Sequence, residues 1–93
     1  MITHDYVIST YLYDVTTGSL TYRKSAGCRK AGELVGWIDG HDVKYLVTKV
    51  NGEKVRLHRL IYFYMTGEWP DCIDHINGNS LDNRWENIRN SIS

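Results

Sequence analysis

The 93-residue chain lacks several features that would restrict it to particular classes of protein. It has no apolar run near the length of a membrane span and no signal-peptide pattern at its start, so we expect no membrane partner and a cytoplasmic location. Its two cysteines, Cys28 and Cys72, are too few and too far apart to form a recognisable metal pattern. They are expected to be buried or free thiols rather than a disulfide. The length supports one compact domain with one modest core.

Net charge is also absent, because eleven Lys and Arg balance eleven Asp and Glu, but the charges are unevenly distributed. Residues 23–59 carry nine Lys and Arg against four acids, whereas residues 60–93 carry five acids against two arginines. A basic middle is suited to neutralising phosphates, and an acidic C-terminal part is suited to holding a hard cation. On charge alone, an ordinary mixed-charge surface is an equally open interpretation.

The first half of the chain has the pattern of a small antiparallel sheet. Residues 1–9 carry weak signals and are assigned as a poorly ordered arm or a short lead-in. Residues 11–15 and 19–24 are rich in β-favouring side chains and flank a turn that contains Gly18, which predicts a hairpin. Residues 33–38 are predicted to form a strand, and the glycine that interrupts it indicates a bulge or a close backbone approach.

A second hairpin and a helix follow. Residues 43–50 and 54–57 flank Asn51-Gly52, the strongest two-residue hairpin signal in the chain. We therefore expect a single antiparallel sheet of three or four strands before residue 58. Residues 58–66 are apolar over two helical turns and end at a glycine, which predicts one helix packed on the sheet. The fold class is therefore α+β, with residues 1–66 forming the sheet and helix and residues 67–93 forming a separate motif of the same compact domain.

The residues whose side chains are best suited to catalysis or metal binding lie between positions 72 and 89. Asp74 and His75 follow two apolar residues, and on an extended segment their side chains point to opposite faces unless a strand end flares them around one site. Residues 77–80 have turn chemistry, and residues 85–88 are predicted to return as a short strand. The pattern predicts a hairpin with a long loop that presents an acid, an imidazole and several amides.

These residues resemble a known family. The runs Asp-His-Ile-Asn-Gly-Asn at 74–79, Asp-Asn-Arg at 82–84 and Glu-Asn-Ile-Arg at 86–89 closely resemble the HNH endonucleases of phages and mobile introns, the homing type. The lead-in, His-Arg-Leu at 58–60 and Gly-Glu-Trp-Pro at 67–70, is similar as well. In that family, a hairpin followed by a helix binds one divalent metal. The resemblance implies a nuclease in which Asp74 is a metal ligand, His75 is the general base and Asn87 holds His75 in orientation.

The sequence also departs from the family pattern. In the family, an Asn or His on the helix after the hairpin completes the metal site, and this sequence ends at Ser93 before reaching such a position. We therefore expect the ββ hairpin of a ββα-metal motif without its last helix. One hypothesis is an HNH-type metal-dependent DNA endonuclease, in a truncated form. The other is a catalytically impaired phage protein that binds DNA or inhibits a host nuclease inside a bacterial host, and a homodimer is compatible with both.

The resemblance implies a histidine base and a divalent metal, and the neighbouring polar residues also have a structural interpretation. A histidine is a suitable base because its reference pKa of about 6.5 is close to working pH. Mg²⁺ is the expected metal, with Mn²⁺ or Zn²⁺ as alternatives and none if the truncation is inactivating. Asn79, Asp82 and Asn83 offer further oxygens, although bonds to their own loop are the favoured interpretation.

DNA is the expected partner, and the candidate DNA-binding cations are distributed along the chain. A solvated charge run is the commoner explanation for residues 23–30, a structural role is favoured over a phosphate contact for His58, and salt bridges to Asp82 and Glu86 are the alternative for the last two arginines. The candidates are Arg23, Lys24, Arg29, Lys30, Lys49, Arg59, Arg84 and Arg89.

Overall fold

The structure is a computed structural model that describes residues 2–27, 29–70 and 72–90. The elements in chain order are helix α1 (His4–Thr10), strands β1 (Tyr11–Tyr13), β2 (Leu20–Tyr22), β3 (Trp37–Asp39), β4 (Tyr45–Val50) and β5 (Glu53–Arg56), helix α2 (Leu57–Thr66), strand β6 (Ile73–His75), a 3-10 helix (Trp85–Asn87) and strand β7 (Ile88–Asn90). All strand pairs are antiparallel. The predicted α+β class is confirmed. Cys72 is an exposed free thiol, and Cys28 lies outside the described residues.

The prediction of a poorly ordered arm at residues 1–9 is wrong, because helix α1 begins at residue 4. The Thr3 side chain caps the helix by accepting a hydrogen bond from the backbone N–H of Tyr6 at 3.2 Å. Tertiary contacts then anchor the helix: Nε2 of His4 lies 3.0 Å from the carbonyl oxygen of Tyr64 on α2, and Val7 is fully buried. These contacts compensate for a length at which an isolated helix is unstable in water.

The strands before residue 58 form two sheets rather than the expected single sheet of three or four strands. β1 and β2 form a two-stranded sheet, while β3, β4 and β5 form a three-stranded one. The predicted strand at 33–38 divides at Gly36: Leu34 bridges to Thr21 of the first hairpin, whereas β3 pairs with β4. Gly36 has a φ of +90°, and a Cβ there would lie 2.3 Å from the Val47 carbonyl oxygen. The predicted close backbone approach is therefore confirmed.

The second predicted hairpin is present. β4 and β5 pair from Val47↔Arg56 to Val50↔Glu53, around Asn51 (φ 52°) and Gly52 (φ 83°). Positive φ at both central residues is the geometry that makes Asn-Gly favourable in a two-residue hairpin.

Helix α2 forms the centre of the core, and its prediction is confirmed. It ends at Gly67, whose left-handed conformation (φ 78°) lets its N–H donate to the Phe63 carbonyl oxygen at 2.8 Å. Burial of each large apolar side chain contributes about 1.5–3 kcal/mol. The core joins α2 to α1, to the sheets and to β7, through a cluster that includes Val7, Tyr11, Leu20, Val50, Leu57, Leu60, Ile61, Phe63 and Ile88.

The last hairpin differs from its prediction in one detail. Residues 85–88 were expected to form the returning strand, but residues 85–87 form a 3-10 turn and the returning strand β7 covers residues 88–90. The N–H of Trp85 donates to the Val15 carbonyl oxygen at 3.2 Å instead of entering a strand pair. No helix in the described part of the chain is long and apolar enough to cross a membrane.

Candidate active site

Asp74 and His75 lie at the end of strand β6. The register pairs Asp74 with Arg89 and His75 with Ile88 on β7, so the two side chains leave opposite faces of the hairpin, as alternation along a strand requires. Both residues are half-buried. The chain turns immediately after His75, where the Gly78 N–H donates to the His75 carbonyl oxygen at 2.9 Å. The acid and the imidazole are therefore at the strand end where the loop begins.

The loop from residue 76 to residue 87 is held by side-chain amides. Asn87 is 4% exposed; its Oδ1 accepts from the Asn77 N–H at 2.9 Å and its Nδ2 donates to the Asp82 carbonyl oxygen at 2.8 Å. The exposed side chain of Asn79 accepts from the Leu81 N–H at 3.1 Å. Asn79 and Asn87 thus bond to the loop's own backbone, and Asn87 ties its two sides together.

The His75 ring has Asn83 as its side-chain hydrogen-bond partner. Nε2 of His75 lies 2.9 Å from Oδ1 of Asn83, and Asn83 is 2% exposed. The resemblance implied that Asn87 orients His75, but the Asn87 side chain bonds to the loop backbone as described above, so any effect of Asn87 on the ring acts through the loop. The favoured assignment of Asn83 to loop structure overlooked this hydrogen bond.

A second histidine packs against the first. His58, at the start of α2, is 4% exposed, and its ring centroid lies 5.0 Å from that of His75 and 5.6 Å from that of Tyr45. Burial lowers the pKa of His58 to about 4, and electrostatic interactions with His75, Arg56 and Arg59 add to the effect. His58 is therefore neutral near pH 7 and serves as a packing group between the three-stranded sheet and the candidate base.

Asp74 has a cation as its neighbour. Nη2 of Arg89 lies 3.3 Å from Oδ2 of Asp74, and the two side chains are 64% and 49% exposed. No group of three or more His, Cys, Asp or Glu side chains that could hold a metal occurs among the residues that the structure describes. Asp74 is therefore a single accessible carboxylate with a weakly held partner.

Arg84 forms ion pairs with two carboxylates within the loop. Its Nε and Nη2 each lie 2.8 Å from one oxygen of Asp82, and its Nη1 lies 3.0 Å from Glu86. Hydrogen bonding to Arg84 holds the pKa of Asp82 below its usual range. The salt-bridge alternative for Arg84 therefore matches the structure.

The other candidate DNA-binding cations lie in different environments. Arg23 donates to the Ile8 carbonyl oxygen and to the Tyr64 hydroxyl, at 2.7 and 2.9 Å, and so ties α1 to α2. Arg29 lies over the Tyr22 ring at 4.7 Å, and Arg59 donates to the Pro70 carbonyl oxygen at 3.1 Å. Lys24 and Lys30 are exposed in the loop after β2, and Lys49 is exposed on β4.

Lys49 lies on a face with two further cations that sequence reasoning missed. On one side of the three-stranded sheet, which we call the basic sheet face, the register places Trp37, Asp39, Tyr45, Val47, Lys49, Lys54 and Arg56. The Arg56 guanidinium lies 4.4 Å from the Tyr45 ring centroid, and Lys54 forms an ion pair with Asp39. The signal in the sequence was the alternation of these cations across the hairpin, which places them on the same face.

Comparison with known proteins identifies the C-terminal part of the chain. Residues 55–91 match the family model described as HNH endonuclease. The match covers less than half of the chain, and it includes α2, both strands of the β6–β7 hairpin and the whole of its loop. The comparisons with curated proteins and with solved structures found no match. The resemblance of the sequence motifs to HNH endonucleases is therefore confirmed for residues 55–91.

Proposed function

We propose, from the membership of residues 55–91 in the HNH endonuclease family, that this protein is a metal-dependent endonuclease that hydrolyses DNA phosphodiester bonds with His75 as general base. The observation that carries the proposal is the position of His75. Its half-buried ring ends β6, with Nε2 2.9 Å from the amide oxygen of Asn83 and with the accessible carboxylate of Asp74 on the preceding residue. A proton acceptor and an oxygen ligand therefore lie on adjacent residues at the end of the same short strand, although their side chains leave opposite faces of the hairpin.

The role assigned to His75 is proton transfer. One unprotonated ring nitrogen accepts a proton from the attacking water as the water oxygen bonds to phosphorus. The ester P–O bond opposite the water breaks, and the leaving oxygen takes a proton from solvent. The neighbouring His58 does not compete for this proton, since burial lowers its pKa to about 4.

The residues fit a divalent metal in their donor chemistry. Mg²⁺ commonly binds one or two protein carboxylates and completes its shell with water and substrate phosphate oxygens, and the Asp74 side chain is 49% exposed. When bound, the ion would supply positive charge that stabilises the developing charge on the phosphate. Asp74 is the ligand assigned here, and Mn²⁺ and Zn²⁺ are the alternatives to Mg²⁺.

The basic sheet face is the surface that we assign to the DNA backbone. Packed rings join this face to the candidate site, because the Tyr45 ring contacts the His58 ring and the His58 ring contacts the His75 ring. Lys49 is exposed on this face, and Arg56 is exposed over the Tyr45 ring. Phosphate contacts from such cations position the protein on DNA without reading sequence.

A DNA-binding protein without efficient cleavage is the second candidate. The observation that favours it is the pairing of Asp74 with Arg89, which places a positive charge beside the only carboxylate assigned to the metal. An exposed ion pair of this kind is worth no more than about 1 kcal/mol, so a divalent cation competes with Arg89 for Asp74. Cleavage assays separate the two candidates.

The first experiment is plasmid nicking with Mg²⁺ or Mn²⁺. The wild-type protein is expected to nick supercoiled DNA, and His75→Ala to reduce the rate by about 10²–10⁴-fold, the usual contribution of a general base. His41→Ala is the matched control, since it removes an exposed imidazole that lies outside the site, and it should nick at the wild-type rate. Binding without metal-dependent nicking would support the second candidate instead.

The second experiment compares two pairs of cations in DNA binding. Replacing Lys49 and Arg56 by Gln should weaken binding and reduce the slope of log affinity against log salt by about 0.9 for each phosphate that the protein no longer neutralises. Replacing Lys24 and Lys30 in the loop after β2 should have a smaller effect. Salt-insensitive binding would contradict a DNA partner and point to a protein partner, and a larger effect of the loop pair would remove the basic sheet face from the proposal.

A further inference from the structure

The hydrogen bond between Asn83 and His75 assigns a role to an amide in the loop. Asn83 is 2% exposed, and its Oδ1 lies 2.9 Å from Nε2 of His75. We propose that Asn83 is a positioning residue that holds the proton of His75 on Nε2, so that Nδ1 is the atom that accepts the proton from water. The inference rests on the proposed function for its catalytic meaning, but the tautomer is a property of the unliganded protein.

The chemistry of an amide fixes the direction of this hydrogen bond. An amide oxygen accepts and does not donate, so a ring nitrogen that bonds to it must carry the hydrogen. In a neutral imidazole the other nitrogen, Nδ1, is then unprotonated. The same oxygen also stabilises the ring after Nδ1 has taken a proton, because both ring nitrogens then donate.

The side-chain amide of Asn83 lacks one of the hydrogen bonds that a buried structural amide usually makes. Its Nδ2 is buried and has no hydrogen-bond partner in the part of the chain that the structure describes. A buried donor without a partner costs about 1–3 kcal/mol, so it requires an explanation other than stability. Retention of the amide for its oxygen, which orients His75, supplies that explanation.

The N-terminal hairpin holds Asn83 in place. The Tyr13 hydroxyl donates to the backbone carbonyl oxygen of Asn83. Burial raises the pKa of this hydroxyl above its usual range. Gly18 packs on the same segment, where a Cβ would lie 2.6 Å from the backbone of Asn83 and of Arg84. Tyr13 and Gly18 lie outside residues 55–91. The orientation of the candidate base therefore depends on a part of the chain that the family model does not cover.

The direct test is nitrogen NMR of the metal-free protein without DNA, at a pH where the His75 ring is neutral. Long-range ¹H–¹⁵N spectra distinguish a protonated Nε2 from a protonated Nδ1. We expect Nε2–H as the main tautomer in the wild-type protein and in Asn83→Asp, which keeps an accepting oxygen, and a mixture of tautomers in Asn83→Ala. A wild-type protein with Nδ1–H as the main tautomer would overturn the proposal without any variant.

Kinetics test the positioning role separately. Asn83→Ala should lower kcat about 10–100-fold, the range found when a metal-binding histidine loses its hydrogen-bond partner, and leave KM for DNA within about threefold, since Asn83 is buried. Asn83→Asp should recover most of kcat. Asn51→Gly, which removes an exposed amide at positive φ in the β4–β5 turn, is the control and should match the wild type.

The kinetic outcomes distinguish the positioning role of Asn83 from the proposed function of the protein. An effect on KM rather than kcat in Asn83→Ala, or an Asn83→Asp variant as impaired as Asn83→Ala, would contradict the positioning role. Absence of nicking by the wild-type protein would contradict the proposed function, and the NMR result would then decide the role of the Asn83 hydrogen bond by itself.

Discussion

The β1–β2 and β6–β7 hairpins are built on the same plan but differ in their loops. Each consists of two antiparallel strands of three residues. Residues 14–19 connect the first pair, where Asp14 bonds to Thr16 in an exposed turn. Residues 76–87 connect the second pair, and buried amides organise that loop. The strands supply a frame in both cases, and the chemistry is confined to the longer loop.

The two hairpins also depend on each other. The first hairpin packs on the loop of the second through Gly18, through the Val15 carbonyl oxygen and through the Tyr13 hydroxyl. A loop of this length would otherwise carry high conformational entropy. The first hairpin therefore supports the loop of the second.

The largest effect is expected where the two hairpins touch. Gly18→Ala should destabilise the protein by about 2–4 kcal/mol, because the positive φ strains an alanine and its Cβ meets the backbone of Asn83 and Arg84 at 2.6 Å. Gly27→Ala is the matched control: its φ is also positive but nothing lies within 4 Å, so only the backbone cost of about 1–2 kcal/mol remains. Denaturant unfolding measures both, and equal destabilisation would contradict the supporting role.

The next effect is a pH dependence of stability that comes from His58, the α2 residue that packs on His75 of the second hairpin. Because burial lowers the pKa of His58 to about 4, the unfolded chain binds more protons than the folded protein between about pH 4 and the reference pKa of about 6.5. Stability is therefore complete above that window and falls as the pH decreases through it, by up to about 3 kcal/mol from this group. His58→Phe should remove that component in unfolding experiments at several pH values, and an unchanged pH profile would contradict the burial of a neutral ring.

A smaller loss of stability is expected when the side-chain hydrogen bonds of either loop are removed, and it should differ between the two loops. Asn87→Ala removes two hydrogen bonds of a buried amide and should cost about 2 kcal/mol. Asp14→Ala removes the bonds of the exposed turn in the first hairpin and should cost less. Thermal unfolding compares the two. A larger destabilisation by Asp14→Ala would show that the turn of the first hairpin is the more organised one.

The sequence predicted the elements that local signals determine. Asn51-Gly52 specified the β4–β5 hairpin, and Gly67 ended α2, because each position needs a backbone conformation that few residues adopt. Helix α1 was missed because its seven residues carry no periodic apolar stripe, and its hydrogen bond to Tyr64 on α2 anchors it. The 3-10 turn at 85–87 was missed for a similar reason, since its first N–H bonds to the distant Val15.

The site was predictable in part. The Asp-His pair was identified because its neighbours carry a family pattern, and residues 55–91 match that family. Asn83 was assigned to the loop, because its hydrogen bond with His75 forms only when the loop closes and the Tyr13 hydroxyl holds its backbone. Lys54 and Arg56 were overlooked since their grouping with Lys49 depends on the register across β4 and β5.

The most direct test of His75 as the base is chemical rescue. The nicking rate of His75→Ala is measured in single turnover with Mg²⁺, without and with added imidazole. The account predicts a low rate that rises with imidazole concentration, because the half-exposed position of the ring admits a free base, and it predicts no such rise for Asp74→Ala. Nicking by His75→Ala at the wild-type rate without imidazole would contradict it.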